Sequence, residues 1–399
     1  MMKLLALTTL AVTLLTAGDA RAQAQIVPTD VKGAEKTDVQ GWNPFLTLTA
    51  TTSLASNINV VGQVEGFSTL FGLGITGGAD FVKDKHLFRS TLAINEGFAR
   101  TPVVDDFTKT TDTVKLEGLY NYFLSKKLGL YGRLELVTAA LPADDIRGLP
   151  TTWVEKNPDD PTMPIVRAGN AYRQRLAGSF APFTINESAG GFAEPIHKKK
   201  LNLSVRVGLG GRHTFAESVL LIDDDKATPE VELTRLADVH QLGIEAFAGM
   251  NGKTKDERTS YRAGLSLLLP FVNNDKFDRG VGTLARIGLE GQLTFNVYKW
   301  MGLVYSLNIT RDAQLFPKGD ELVQIQNTLL LTFQFTAVKK KEAKAEPTAA
   351  ELELAAAKQR AADAEKRAAD AEKKLQDATT PAPAPTPAPA PDPAPAPTP

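Results

Sequence analysis

The chain contains no cysteine, so it forms no disulfide and carries no lipid on an N-terminal cysteine. Small secreted domains usually need disulfides because their cores are too small to hold them together. The absence of cysteine from a secreted chain of 399 residues therefore favours a bacterial envelope protein over a small extracellular scaffold.

Long apolar runs are almost as scarce. The one clear run, residues 4–17, follows Lys3 and precedes the small-x-small sequence of residues 20–22. This pattern predicts a secretory signal over residues 1–22, because the run is too short to span a bilayer comfortably as an anchor. No later run approaches 18 apolar residues, so any insertion of the mature chain into a membrane would have to be as a closed β-barrel.

An excess of charge of either sign is also missing. The chain has 45 Lys and Arg against 46 Asp and Glu, for a formal net charge of −1. Nucleic-acid binding, which depends on positive charge, is therefore not expected.

What is present is alternation of apolar and polar residues, which is clearest in residues 282–312. Every second position is apolar or small over Ala285, Ile287, Leu289, Gly291, Leu293, Phe295 and Val297, and the residues between them are mostly polar. A turn at Tyr298 and Lys299 then leads into a second alternating run. Side chains alternate across a strand, so the stretch predicts a hairpin. Its long strands and aromatic turn end are typical of a transmembrane β-barrel.

The same alternation recurs along residues 42–338 and predicts an all-β fold, a transmembrane antiparallel up-and-down β-barrel of about twelve strands. Ten strands are the alternative if the sixth region, residues 176–187, is a loop. The eighth strand is placed over residues 231–248, and the proline-rich residues 142–175 are interpreted as an irregular loop. Long and short connections alternate, and most aromatics cluster near the short turns, as in outer-membrane barrels.

The remaining segments are predicted from changes in composition. Residues 23–41 form a linker before the barrel, residues 339–347 form a charged linker after it, and residues 348–377 form an alanine-rich helix. The seven-residue repeats at 361–367 and 368–374 fit either a homo-oligomeric coiled coil or a lone solvated spacer. Residues 378–399 form a disordered proline-alanine tail of polyproline II type. An even number of strands would leave both termini in the periplasm.

The charged residues on the polar faces are the candidate functional residues. The predicted lumen-lining set is Arg133, Glu135, Arg206, Arg262, Arg286 and Glu290. If these side chains pair across the barrel they plug it, and if water fills the barrel they set its ion selectivity.

Catalytic and metal chemistry have little support in the sequence. Asp238 and His240 share one face of the predicted eighth strand without a serine nucleophile, so a polar pair in the lumen is favoured over a hydrolase site. Residues 159–160 and 223–225 are acidic and could bind a divalent cation, although a solvated loop is the simpler interpretation. We therefore expect no enzymatic activity, no catalytic residue, no cofactor and no metal.

Three stretches carry a resemblance to a known family: Trp42, residues 56–66 (SNINVVGQVEG) and residues 109–123 (KTTDTVKLEGLYNYF). They resemble an uncharacterised family of bacterial outer-membrane β-barrel proteins, a domain of unknown function. The last strand, with Thr328, Leu331, Phe333 and Phe335, looks like an outer-membrane assembly signal, except that Leu330 stands where glycine is usual.

These observations together predict a barrel in the outer membrane of a Gram-negative bacterium. The expected partners are the lipid bilayer, the barrel assembly machinery, and peptidoglycan or a periplasmic protein bound by the tail. Three functions are carried forward: a pore for small solutes, a structural or tethering protein and, least favoured, a hydrolase that would use His213 and His240.

Overall fold

The computed structural model describes residues 39–57, 66–102, 104–157, 163–198, 200–224, 227–276, 279–314, 323–338 and 349–379. The predicted signal, most of the first linker, the charged linker and residues 380–399 of the predicted tail lie outside these residues. Asp159, Asp160 and Asp225 lie outside them as well.

Twelve antiparallel strands close into a barrel, which confirms the predicted fold class and strand number. The barrel strands are β1 (Gly41–Asn57), β2 (Gly66–Lys83), β3 (His86–Thr101), β4 (Val104–Phe123), β5 (Leu128–Thr138), β8 (Phe183–Lys198), β9 (Leu201–Phe215), β12 (Val239–Lys253), β13 (Thr259–Asn273), β14 (Arg286–Tyr298), β15 (Met301–Arg311) and β16 (Val323–Val338). Each pairs with its neighbour in this order, and β1 pairs with β16 to close the ring.

The two ends of the barrel differ in how their strands are connected. Turns such as residues 84–85 and 299–300 join strands at one end, which we call the short-turn end. Gly41 and Val338, the first and last barrel residues, also lie there. The opposite end carries the longer connections, and we call it the loop end.

The barrel's polarity is the reverse of that of a water-soluble fold. Leucines at alternate strand positions are exposed, including Leu73 at 59%, Leu134 at 51% and Leu209 at 58%. At the alternate positions of the same strands, Arg133 beside Leu134 and Arg206 on the strand of Leu209 are at most 7% exposed. Apolar side chains therefore cover the outside and charged ones fill the inside, an arrangement typical of a barrel surrounded by lipid.

Aromatic rings gather on the outside near the short-turn end. Trp42 lies 5.0 Å from Phe81, and Trp300 lies 5.8 Å from Tyr298 and 5.9 Å from Phe333. Phe45 and Tyr131, which the sequence pattern assigns to the same belt, are instead buried inside the barrel. Both lie at strand positions whose side chains face the barrel interior. The clustering of aromatics along the chain does not reveal this.

A second, four-stranded sheet occupies the loop end, and it corrects the prediction of an irregular loop over residues 142–175. It contains β6 (Ala143–Glu155), β7 (Ile165–Ala177), β10 (Leu220–Ile222) and β11 (Val231–Arg235). Its β6 and β11 run parallel, and Trp153 and Leu233 are fully buried at its core. The prolines of this stretch masked the strand signal, since proline inside a run argues against a strand.

The small sheet also requires the correction of two strand predictions. The sixth barrel strand is β8, which begins at Phe183 rather than at residue 176. The predicted eighth strand, residues 231–248, is divided between β11 in the small sheet and β12 in the barrel.

Two helices complete the description: α1 (Val281–Leu284) and α2 (Ala349–Thr379). Residues 1–342 and 343–399 are separate compact units. Within its own unit α2 exposes every side chain whose burial is described, including the first repeated heptad and residues 368–372 of the second. None of the helices in the described ranges is both long enough and apolar enough to cross a membrane.

Candidate functional site in the barrel interior

The centre of the interior holds a cluster of buried, oppositely charged side chains from β4 and β5. Arg133 donates to Glu117 at 2.8 Å and to Glu135 at 2.5 Å. Lys115 forms an ion pair with Glu135 and lies 3.6 Å from Glu117. All four side chains are at most 4% exposed, so each charge depends on the others for compensation.

The cluster extends across the barrel through β8 and β12. Asn186 donates to the second oxygen of Glu135 at 2.9 Å, and Glu245 lies 4.0 Å from Arg133. Four strands, β4, β5, β8 and β12, thus contribute side chains to one network. Inside a protein such a network stiffens its surroundings, provided that each member keeps its partners.

A second charged layer lies near the loop end. Arg212 donates to Asp312 at 2.6 Å, and Arg286 lies 3.3 Å from the same carboxylate. Gln241 donates to Gln314 at 2.7 Å beside this layer. Asp312 therefore links β9 to the end of β15 and the start of β14.

Arg206 and Arg262 lie nearer the short-turn end. The Arg206 guanidinium lies 5.5 Å from the Tyr131 ring and 5.6 Å from the Phe247 ring, distances that allow cation–π attraction. Arg262 hydrogen-bonds Gln292 on β14.

The opposite wall, formed by β1, β2, β15 and β16, is built from small polar residues. Thr47, Thr49 and Thr51 face inward and are half-buried, and Gly72 and Gly74 lie beside them on β2. A Cβ atom on Gly72 would approach the Thr51 hydroxyl to 2.6 Å and the Glu96 carbonyl oxygen to 3.1 Å, so a larger residue there would displace Thr51. Asn95 and Gln326 also face inward and are exposed, which means that water reaches them.

The six predicted lumen-lining residues thus fall in different layers. Arg133 and Glu135 belong to the central cluster, Arg286 to the loop-end layer, and Arg206 and Arg262 to the short-turn side. Glu290 faces inward on β14 and is 8% exposed. Sequence reasoning missed Asp312 and Asn186, although both continue the polar parity of their strands.

One histidine prediction, a lumen position for His240, is contradicted by the strand parity. His240 lies on the outer face with His213, whose Nδ1 is 3.1 Å from the His240 Nδ1 and whose Nε2 is 3.1 Å from Glu187. Asp238 precedes β12 and accepts from the backbone N–H groups of Ala216 and Glu217. The predicted Asp238–His240 lumen pair is therefore wrong, because Asp238 caps a turn and His240 faces outward.

The acidic loop residues show no arrangement suited to a metal ion in the parts of the chain that are described. Asp223 pairs with Lys156 at 2.9 Å, and the described residues contain no group of three or more metal-ligating side chains.

Known proteins offer only distant likenesses. An outer membrane channel from Pseudomonas putida F1 has 10% identity and a TM-score of 0.34, with 77% of this chain and 100% of that chain covered. The β domain of the Bordetella autotransporter BrkA has 10% identity and a TM-score of 0.33, with 74% and 99% covered. The translocator domain of the autotransporter NalP from Neisseria meningitidis has 8% identity and a TM-score of 0.32, with 74% and 89% covered.

No protein-family model and no curated protein matches the chain. The resemblance of its N-terminal region, about residues 42–141, to an uncharacterised outer-membrane family therefore stays a prediction. The closed barrel is established by its strand pairing and not by these likenesses.

Proposed function

We propose that this chain is an outer-membrane β-barrel that conducts small solutes through a narrow polar pore. The bilayer would surround the exposed leucines, with the short-turn end and both barrel termini in the periplasm. The proposal includes no catalytic role.

The observation that carries this proposal is the difference between the two interior walls. The charged wall of β4, β5, β8 and β9 is dry, because charged side chains along it, among them Lys115, Glu135 and Arg212, are at most 7% exposed. The threonine and glycine wall keeps Thr49 and Thr51 half-buried, and Asn95, beside it on β3, is exposed. Water therefore has a path beside this second wall, and the pore would run along it rather than through the barrel axis.

The absence of cysteine from the described residues allows a direct test with single introduced cysteines. Thr49→Cys places a thiol on the proposed pore wall, and Leu48→Cys places one on the outer surface, where Leu48 is 40% exposed. Each refolded variant is studied in a planar bilayer before and after treatment with a water-soluble, negatively charged thiosulfonate.

A pore predicts steady conductance that falls on modification of Thr49→Cys and does not change for Leu48→Cys. A folded barrel that stays silent would exclude the pore. If thiol modification changes the conductance of neither variant, the pore does not run along the threonine and glycine wall.

A second function, tethering in the periplasm, is favoured by one separate observation. Helix α2 forms a compact unit of its own with exposed heptads, so it can reach a partner without altering the barrel. The partner would be peptidoglycan, a periplasmic protein or a second copy of α2. Deleting residues 343–399 should then weaken envelope integrity, whereas unchanged integrity would remove this role.

A further inference from the structure

The ring of strands is weakest at the seam between β1 and β16. Their pairing runs from Leu46↔Val338 only to Thr52↔Leu331. Toward the loop end β1 continues along β2 as far as Asn57, while β16 continues along β15 as far as Val323. Among the described residues the two strands therefore part above Thr52, which leaves a lateral gap between them in that part of the barrel wall.

A cavity of about 290 Å³ lies where the strands part. It is lined by Thr52, Ser53, Leu303, Leu329, Leu330 and Leu331. Three of these residues, Leu303, Leu329 and Leu331, lie at strand positions whose side chains face outward. Ser53 and Leu330 lie at positions that face inward. The lining of the cavity thus includes residues from both faces of the barrel wall.

The interior changes character at this level. Leu330 interrupts the polar inner face of β16 between Thr328 and Thr332, and its partner on β15 is the inward Val304. On the other side of the gap, Ser53 pairs with the inward Leu70 of β2. Apolar side chains therefore flank the gap on the inside as well, although the wall below it is made of threonine and glycine.

We propose that this gap is a lateral portal that binds small, uncharged, mainly apolar molecules and passes them between the bilayer and the barrel interior. The inference rests on the proposed membrane location and extends the pore function to a second class of solute. The leucines match an apolar body, and the Thr52 and Ser53 hydroxyls can bond one polar group. A cavity of this volume suits a ligand with one or two rings.

The physical cost of the gap supports a functional interpretation. Backbone groups at a sheet edge are tolerated at membrane depth only where they line a cavity or are covered by protein. A barrel with no use for a gap would gain hydrogen bonds by extending the β1–β16 ladder past Thr52. The presence of the apolar Leu330 on the otherwise polar inner face of β16 instead favours an apolar ligand on the inner side.

The portal can be closed reversibly with a pair of cysteines. Extending the existing register places Ser53 opposite Leu330, so Ser53→Cys with Leu330→Cys would pull the strands together when oxidised. The matched control is Thr51→Cys with Thr332→Cys, which links a pair already in register. Heat-modifiable gel mobility confirms that each variant folds.

The probe is 1-naphthol, an aromatic molecule with one hydroxyl. Calorimetry in detergent micelles measures its binding under oxidising and reducing conditions, and planar bilayers measure ion conductance of the same samples. The portal predicts that oxidised Ser53→Cys/Leu330→Cys loses binding by about tenfold or more and recovers on reduction. The oxidised control binds like the parent protein, and Leu330→Trp, which fills the cavity without a disulfide, also loses binding.

Several results would overturn the proposal: binding that survives oxidation of Ser53→Cys/Leu330→Cys, equal loss in the oxidised control, or complete competition by a phospholipid, which would make the cavity an acyl-chain site. Conductance separates this inference from the pore. A parent barrel that is silent but shows redox-switched 1-naphthol binding would refute the polar pore and keep the binding site. A conducting barrel without such binding would refute the portal alone.

Discussion

Glu135 is the residue whose replacement tests the interior network most sharply. It is 1% exposed and receives hydrogen bonds from Arg133 at 2.5 Å and Asn186 at 2.9 Å, as well as an ion pair from Lys115. Glu135→Gln keeps the shape of the side chain and removes its charge. The change leaves Lys115, itself 1% exposed, with only Glu117 at 3.6 Å to compensate it.

The expected loss follows from that uncompensated charge. Removing one partner of a buried ion pair costs about 3–5 kcal/mol of unfolding free energy. Replacing both partners together is often close to neutral, so Lys115→Met/Glu135→Gln should lie within about 1 kcal/mol of the parent. The two single changes are then coupled by at least about 2 kcal/mol, because the double variant regains most of what Glu135→Gln alone loses.

Urea titration of the barrel refolded in vesicles, followed by tryptophan fluorescence, measures these free energies. The matched control is Arg173→Ala: its partner Asp106 is 63% exposed, and its second partner Asp144, 3.8 Å away, keeps Arg175, so the loss should be less than about 1 kcal/mol. If Glu135→Gln costs no more than this control, or if the double variant shows the sum of the single losses, the central cluster is hydrated and the dry wall described above is wrong.

Three further predictions concern the small sheet and the C-terminal unit. Trp153→Ala should destabilise the small sheet by about 3–5 kcal/mol, because the ring is fully buried; faster hydrogen exchange in β6 and β7 with unchanged exchange in the barrel would show this. Burial alone would raise the pKa of Glu155, but hydrogen bonds from Arg235 and Arg167 outweigh it and hold the pKa below its ordinary value. Its contribution to sheet stability is therefore full above pH ~4.3 and is lost as the pH falls through the lowered pKa; exchange in β6 followed against pH should show this loss for the parent and not for Glu155→Gln. Deleting residues 343–399 should leave the heat-modifiable mobility of the barrel unchanged, since they form a separate unit, and a barrel that no longer refolds would contradict that division.

The sequence predicts the barrel well because lipid imposes one simple rule along every strand. Alternation of Leu289 with Glu290, or of Leu134 with Arg133, fixes which side chains face out, and it needs no knowledge of the neighbouring strands. The short turns between long strands then set the strand count.

The small sheet could not be predicted in the same way. Its β6 and β11 are parallel and far apart in the chain, so their pairing depends on contacts that no local pattern records. Trp153 reads as an isolated aromatic in a proline-rich loop, although it forms the core of that sheet.

The candidate site was only partly accessible to sequence reasoning. Parity predicts that Arg133 and Glu135 share a face, but it cannot tell whether they meet, because pairing across the barrel depends on its closed shape. The gap beside Thr52 has one sequence signal, the apolar Leu330 on a polar face. Whether Leu330 borders a gap depends on where the pairing of β1 with β16 ends, and this is set by the closed barrel and not by the local sequence.

The most direct test of the central claim is the single-channel current of Thr49→Cys in a planar bilayer, recorded while a charged thiosulfonate is added. The pore along the threonine wall predicts a stepwise fall in conductance that dithiothreitol reverses, with no change in Leu48→Cys. A folded barrel that carries no current, or a current that modification at Thr49 leaves unaltered, would contradict it.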